Sequence, residues 1–166
     1  QDTAGALERL RAAGITRQPI VCDQNGVDNE RAALRHFPNV YAMTVIIPAD
    51  FVEPGEVAAF GTPRPGLLDI GRYPSGSDAT ARAIAAPLAA AGFAVTVDDA
   101  VMASKYGKLV SNLGNVLDAA VCPLEPENPV YLAAQPEAVA VYTAAGIAFQ
   151  SGAAQDARRA EYVQVG

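Results

Sequence analysis

Up to Val97 the chain alternates short extended runs with helical ones, and beyond Val97 no strand pattern is expected to return. PIVCDQ at 19–24, YAMTVII at 41–47, LLDIG at 67–71 and FAVTV at 93–97 are each apolar or β-branched and bounded by turn formers. Helical patterns stand before and between them, which is the order of an α/β layered fold. From Asp99 onward the reading is helix, loop, helix. The predicted organisation is therefore an α/β portion over 1–97 and an all-helical portion over 98–166.

Local signals sharpen the boundaries. QDTAGALERLRAAG reads as a helix capped by Asp2 or Thr3 and closed by Gly14. Asp28 or Asn29 caps a second helix that ends before Pro38. Pro54 and Gly55 fit a type II turn, so 50–60 is expected to be a hairpin. Asp78 caps an alanine-rich helix closed by Gly92, with Pro87 expected to kink or split it. CPLEPENP at 122–129 is a Pro-rich loop, 130–145 a further helix, and AAQDARRAEY the start of another.

Composition removes several classes of function. Hydrophobic residues make up 51% of the 166 positions, too many for a disordered chain. A formal net charge of -6 supplies no basic footprint for nucleic acid. No apolar run approaches the roughly 18 residues that mark a membrane span, and no signal peptide opens the chain, so a cytoplasmic protein is expected. Cys22 and Cys122 are too isolated to form a ligand set, and with the lone His36 they make no zinc constellation. Both read as small core thiols.

KYGKLVSNLGN at 105–115 is the unusual stretch. On a helical wheel Lys108, Asn112 and Asn115 fall within about 80° of one another. Leu109, Leu113, Val116 and Leu117 occupy the adjoining face. Gly107, Ser111 and Gly114 form a third strip, where another backbone can approach closely. A solvated face is the plain alternative, yet asparagine is a mediocre helix former and a merely wet face has better choices. An ammonium near a bound carbonyl can donate a proton, and an asparagine can bind a carboxylate or hydroxyl without adding charge. A second polar cluster, Gln24 with Asn25 and Gly26, sits at the end of a predicted strand, where open α/β sheets bind ligands. Taken alone, such a pair is an ordinary turn.

DQNGVDNE at 23–30, PGEV at 54–57, DIG at 69–71, AAGFAVTVDD at 90–99 and the Lys108-x-x-x-Asn112 helix together resemble the ketopantoate reductases, or 2-dehydropantoate 2-reductases. The likeness covers residues 1 to about 121 and loosens thereafter, with AAGIAF at 144–149 similar to the end of a helical-domain helix. The resemblance implies a Rossmann-like nucleotide-binding domain joined to a helical domain across a cleft. It also implies NADPH-dependent reduction of 2-dehydropantoate to (R)-pantoate, a step toward pantothenate and coenzyme A. Lys108 would match the catalytic lysine and Asn112 a substrate-binding asparagine. Asn115 would match a further one whose register varies by a residue. Asn25, with Gln24, would lie near nicotinamide and substrate, and Lys105 would flank the site. Implied partners are a 2-oxo acid and a second copy of the chain, with no nucleic acid and no membrane.

The departures are as informative. The family's glycine-rich turn, GxGxxG, is absent from all 166 residues. QDT resembles the segment after a cofactor-contacting lysine, and the family's later serine and glutamate have no counterpart, Glu161 included. The expectation is an internal piece of a reductase, inactive alone because it lacks the backbone N–H cradle for pyrophosphate. A reductase of another 2-oxo acid and a non-catalytic α/β module are the competing readings. His36 is expected near a helix end at the surface, Tyr131 and Tyr142 between helices, and Arg158 and Arg159 facing water.

Overall fold

The structure, a computed structural model, describes residues 2–121 and 127–165. Cys122 and the adjoining part of the Pro-rich loop lie outside the described residues. Helix α1 (Thr3–Ala12) opens on Asp2, whose carboxylate accepts from the N–H of Gly5 at 3.0 Å. Strand β1 (Ile20–Cys22) follows, then α2 (Asn29–Leu34) and β2 (Val40–Ile46). The hairpin β3 (Ala49–Glu53) and β4 (Glu56–Ala59) turns at Gly55, whose φ of 95° suits the residue that lacks a β-carbon. Next come β5 (Gly61–Pro63), β6 (Leu67–Arg72), α3 (Ala79–Ala90) and β7 (Ala94–Val97). The remainder is α4 (Val101–Ser111), α5 (Leu113–Val121), α6 (Pro129–Ala144), α7 (Gly152–Tyr162) and β8 (Val163–Val165).

The central sheet runs β1-β2-β6-β7. β1 is parallel to β2 and β6 to β7, while β2 and β6 are antiparallel, so the sheet is mixed. Side chains alternate across it. On one face Tyr41, Met43, Leu68 and Ile70 pack against Ala81 and Ala85 of α3. On the other, Leu7, Cys22, Ala33, Phe37 and Val40 form a second core under α1 and α2. Cys22 is the buried thiol its isolation suggested; burial first, then the nearby Glu30 carboxylate, raises its pKa to about 12, so it is unreactive. The fold is the α/β arrangement expected, a Rossmann-like sheet leading into helices.

Of the kink or split expected at Pro87, the split does not occur: α3 runs unbroken to Ala90. Two local expectations are corrected. The helix begun at Val101 does break, at Asn112, and α5 starts afresh at Leu113. Ser111, Asn112 and Gly114 are weak helix formers, and the N–H of Asn115 turns back three residues to the carbonyl of Asn112 at 3.1 Å. Finally, a strand does follow Val97. β8 pairs antiparallel with β5, Thr62 opposite Gln164, and so ties the chain's last described residues to its middle.

Helix α4 crosses the face of the sheet opposite α3 by an unusual stripe. Val101, Ser104, Lys105 and Lys108 recur at the i, i+3, i+4, i+7 spacing of one helical face, and only the first is apolar. Opposite them lie Thr44 and Asp69, register partners on β2 and β6, both buried. The hydroxyl of Ser104 donates to Asp69 at 2.7 Å. A polar seam therefore joins the sheet to the helices, and buried polar groups must find partners across it.

The strip of small residues behaves as expected. A β-carbon on Gly107 would run into the carbonyl of Gln150 and the amide of Gln155, and one on Gly114 would meet the ring of Tyr131 at 3.2 Å. Tyr142 is buried between helices, edge-on to Tyr106 and tilted against Phe149.

Candidate active site

The site assembles where β1 and β2 end beneath α4. Strand β1 closes at Cys22, and the chain turns through Gln24, Asn25 and Gly26, the glycine at a φ of 89°. Asn29, the first residue of α2, donates through its amide to the carbonyl of Asn25 at 3.2 Å. Its own oxygen accepts from Thr3 of α1 at 2.8 Å. Two helices thereby brace the loop that presents Asn25.

Lys105 and Lys108, one turn apart on α4, do different work. Lys105 is 4% exposed and its ammonium is saturated. It donates to the carbonyls of Cys22 (3.2 Å) and Gln24 (3.0 Å) and to the carboxylate of the fully buried Glu30. Three donors meet three acceptors, one of them charged, so nothing remains for a ligand. The expected flanking residue is thus the peg that holds the strand tip.

Lys108 donates to Oδ1 of Asn25 at 2.7 Å and to the carbonyl of Val45 near the end of β2. Both acceptors are neutral, and one N–H is unused. Desolvation, then the positive charges of Arg159 and Lys105, lower its pKa from 10.5 to about 8. A half-buried ammonium that gives up its proton near neutral pH, with a donor to spare, is suited to general acid chemistry.

Gln24, Asn25, Lys108 and Asn112 line one small hollow of about 10 Å³, together with Thr44 and Lys105. That volume admits about one water. Lys108 is also a wall of a larger hollow of about 220 Å³, lined by Ile46, Ile47, Pro48, Arg159 and Val163. The room for an organic ligand is on that side. Asn112 caps the C-terminus of α4, and its side-chain amide makes no hydrogen bond among the described residues. Asn115 does not line either hollow; the break at Asn112 leaves it exposed on α5.

Two buried oxygens in the small hollow have no partner, Oε1 of Gln24 and Oγ1 of Thr44. Unpartnered buried acceptors cost free energy unless a donor meets them. A donor small enough for this volume, such as a water, would meet them. Nothing in the sequence fits the pyrophosphate of a dinucleotide, since no glycine-rich turn is present.

No family model matches the chain. Solved structures do. A ketopantoate reductase of the PanE/ApbA family from Ralstonia eutropha JMP134 superposes with a TM-score of 0.70 at 25% identity, covering 95% of this chain and 53% of its own. The 2-dehydropantoate 2-reductase of Methylococcus capsulatus gives 0.71 at 24% identity, covering 89% of this chain and 52% of its own. The chain has the ketopantoate reductase fold.

A D-mandelate dehydrogenase solved with NADH shares that fold, with a TM-score of 0.68 at 21% identity over 89% of this chain and 52% of its own. The chain spans about half the length of these proteins. Within the ketopantoate reductase fold seen here, the expectation for Arg158 and Arg159 is overturned. Arg158 forks onto both carboxylate oxygens of Asp69, one at 2.8 Å, and reaches Thr96 at 3.2 Å. Arg159 turns the other way, with its Nε buried and unpartnered. Thr44 and Arg159 are site residues that sequence reasoning missed. The only signals were a threonine among the apolar residues of a strand and two adjacent arginines.

Proposed function

We propose that the chain carries the reacting-end half of a nicotinamide-dependent reductase of 2-oxo acids, with 2-dehydropantoate as substrate and NADPH as cofactor. In this reading residues 1–97 supply the cofactor side and 98–166 the substrate side. The observation that carries it is the hydrogen bond from Lys108 to Asn25, which joins helix and strand tip around an ammonium with a free donor. When bound, the cofactor supplies the hydride that reaches the keto carbon.

The chain's own residues do the rest. Lys108 donates its spare N–H to the ketone oxygen, stabilises the charge that develops there and passes the proton to it. Its helix is fixed to the sheet by Ser104 and Lys105, so the distance from strand tip to ammonium is rigidly held. Asn112 offers an uncommitted amide to the polar end of the substrate. Asn25 holds Lys108 and, with Gln24, presents groups for the nicotinamide carboxamide.

The test is cofactor oxidation by the intact protein over a panel of 2-oxo acids, with NADPH and NADH compared. Turnover of 2-dehydropantoate above its competitors, lost in Lys108→Ala, supports the reading. Preference for another acid moves the substrate while keeping the chemistry. Full turnover in Lys108→Ala removes the proposed acid.

A further inference from the structure

We infer that Arg159 binds the substrate's carboxylate, seating a small 2-oxo acid with an apolar body in the hollow over the end of β2. The inference rests on the reductase reading above and assigns within it a residue for the acid end.

Helix α7 is docked on α4 by contacts that fix the direction of Arg159. Gly107 lets the carbonyl of Gln150 approach closely. Gln155, 3% exposed, donates to the carbonyl of Ser104 at 3.1 Å and accepts from Ser111 at 3.3 Å. Arg158 is locked onto Asp69. Adjacent residues on a helix point about 100° apart. With Arg158 committed to the sheet, Arg159 borders the hollow that Lys108 also lines and a second hollow of about 570 Å³ between α4, α6 and α7.

What stands there is unbalanced. The Nε of Arg159 is buried and makes no hydrogen bond. Among the described residues no carboxylate lies within 4.0 Å of either Arg159 or Lys108. Two cations converge without an anion, and their mutual repulsion contributes to the lowered pKa of Lys108. The remaining walls, Ile46, Ile47, Pro48 and Val163, are apolar. An anion with a compact hydrocarbon body satisfies both features. The two Nη groups of a guanidinium donate to a carboxylate in a two-bond fork, which a lysine cannot offer. The volume, about 220 Å³, is ample for a small branched acid. The roles then separate: Arg159 holds the carboxylate, and Lys108 is left for the neighbouring carbonyl oxygen.

The experiment measures binding of 3-methyl-2-oxobutanoate and of its methyl ester to the intact protein, with Arg159→Gln and Arg159→Lys beside wild type. Thermal melts report folding. The acid should bind wild type at least about tenfold more tightly than the ester. Arg159→Gln should erase that preference, and Arg159→Lys should keep part of it. In turnover, Arg159→Gln should raise KM far more than it lowers kcat. If Arg159→Gln does not fold, Arg159→Lys decides, because it keeps the charge and loses the fork. Acid binding within twofold of wild type in the variant, or no preference for acid over ester in wild type, overturns the inference. An acid held through Arg159 but reduced with neither nicotinamide cofactor upholds the carboxylate site and removes the reductase reading. Reduction by Arg159→Gln at wild-type KM does the reverse.

Discussion

The Nζ of Lys108 lies 2.7 Å from Oδ1 of Asn25, 83 residues earlier in the chain. This contact joins the helical portion to the tip of the sheet, and it places a titrating cation where two strands end. The first prediction concerns pH. The folded pKa of Lys108 is about 8 against an ordinary 10.5, so its acid form is present below about 8 and lost above it. Turnover limited by the chemical step should fall as pH rises through 8, and the fall should be absent from the residual rate of Lys108→Ala. A kcat profile flat from pH 7 to 9.5 would exclude Lys108 as the proton donor.

The same shift makes a stability prediction of opposite sense. Between about 8 and 10.5 the unfolded chain holds the proton and the folded one has released it, so stability contributed at this site rises with pH across that window. Below 8 the folded protein bears the full cost of a desolvated cation beside Arg159 and Lys105. Lys108→Met loses the bonds to Asn25 and Val45 at every pH, so the signature is the trend. Relative to wild type it should fare better at pH 7 than at pH 10.5 by about 1 kcal/mol, after allowance for the solvent that reaches the ammonium, or roughly 3 °C in Tm. Melts at several pH values check both sign and window.

Lys105 should behave in the contrary way. Its ammonium satisfies the buried carboxylate of Glu30, the buried carbonyl of Cys22 and the part-buried carbonyl of Gln24. Lys105→Met leaves the carboxylate of Glu30, which already has one unpartnered oxygen, without a countercharge. The expected loss is about 3–5 kcal/mol, measured by denaturant unfolding. Glu30→Gln, which keeps an acceptor for the lysine, should cost less. Equal stability of Lys105→Met and wild type would show that the ammonium is not the peg described here.

Much of this architecture was legible because its causes are local. Asp2 and Asp78 cap the helices that follow them through bonds to N–H groups three residues on. Gly55 and Gly92 take the positive φ values that their turn positions require. The approach of Gln150 to Gly107 follows from absent side-chain bulk. What escaped notice depends on partners far along the chain. Three residues of β8 carry no strand signal until β5 lies beside them. Arg158 and Arg159 look like surface until Asp69, 89 residues from Arg158, claims one and leaves the other unpaired. A wheel drawn on one straight helix groups Asn115 with Lys108 and Asn112, and the break at Asn112 leaves it exposed on α5.

The last prediction concerns that distant pairing. Asp69 is fully buried between Ser104 and Arg158, and the arginine's pKa is raised first by its hydrogen bond to this carboxylate. Arg158→Met strips the countercharge from a buried anion and should cost about 3 kcal/mol. Asp69→Asn keeps an acceptor for Ser104, and its arginine can turn partly to water, so its cost should be smaller. In the double variant neither charge is stranded, and the two losses should fall short of additivity by about 1–2 kcal/mol. Denaturant melts of the four proteins measure the coupling. Strict additivity would mean that α7 is held by Gln155 and Gly107 alone. Coupling of the expected size would make the ion pair part of what aims the neighbouring Arg159, so that Asp69→Asn should also raise KM for a 2-oxo acid without removing any group from the hollow.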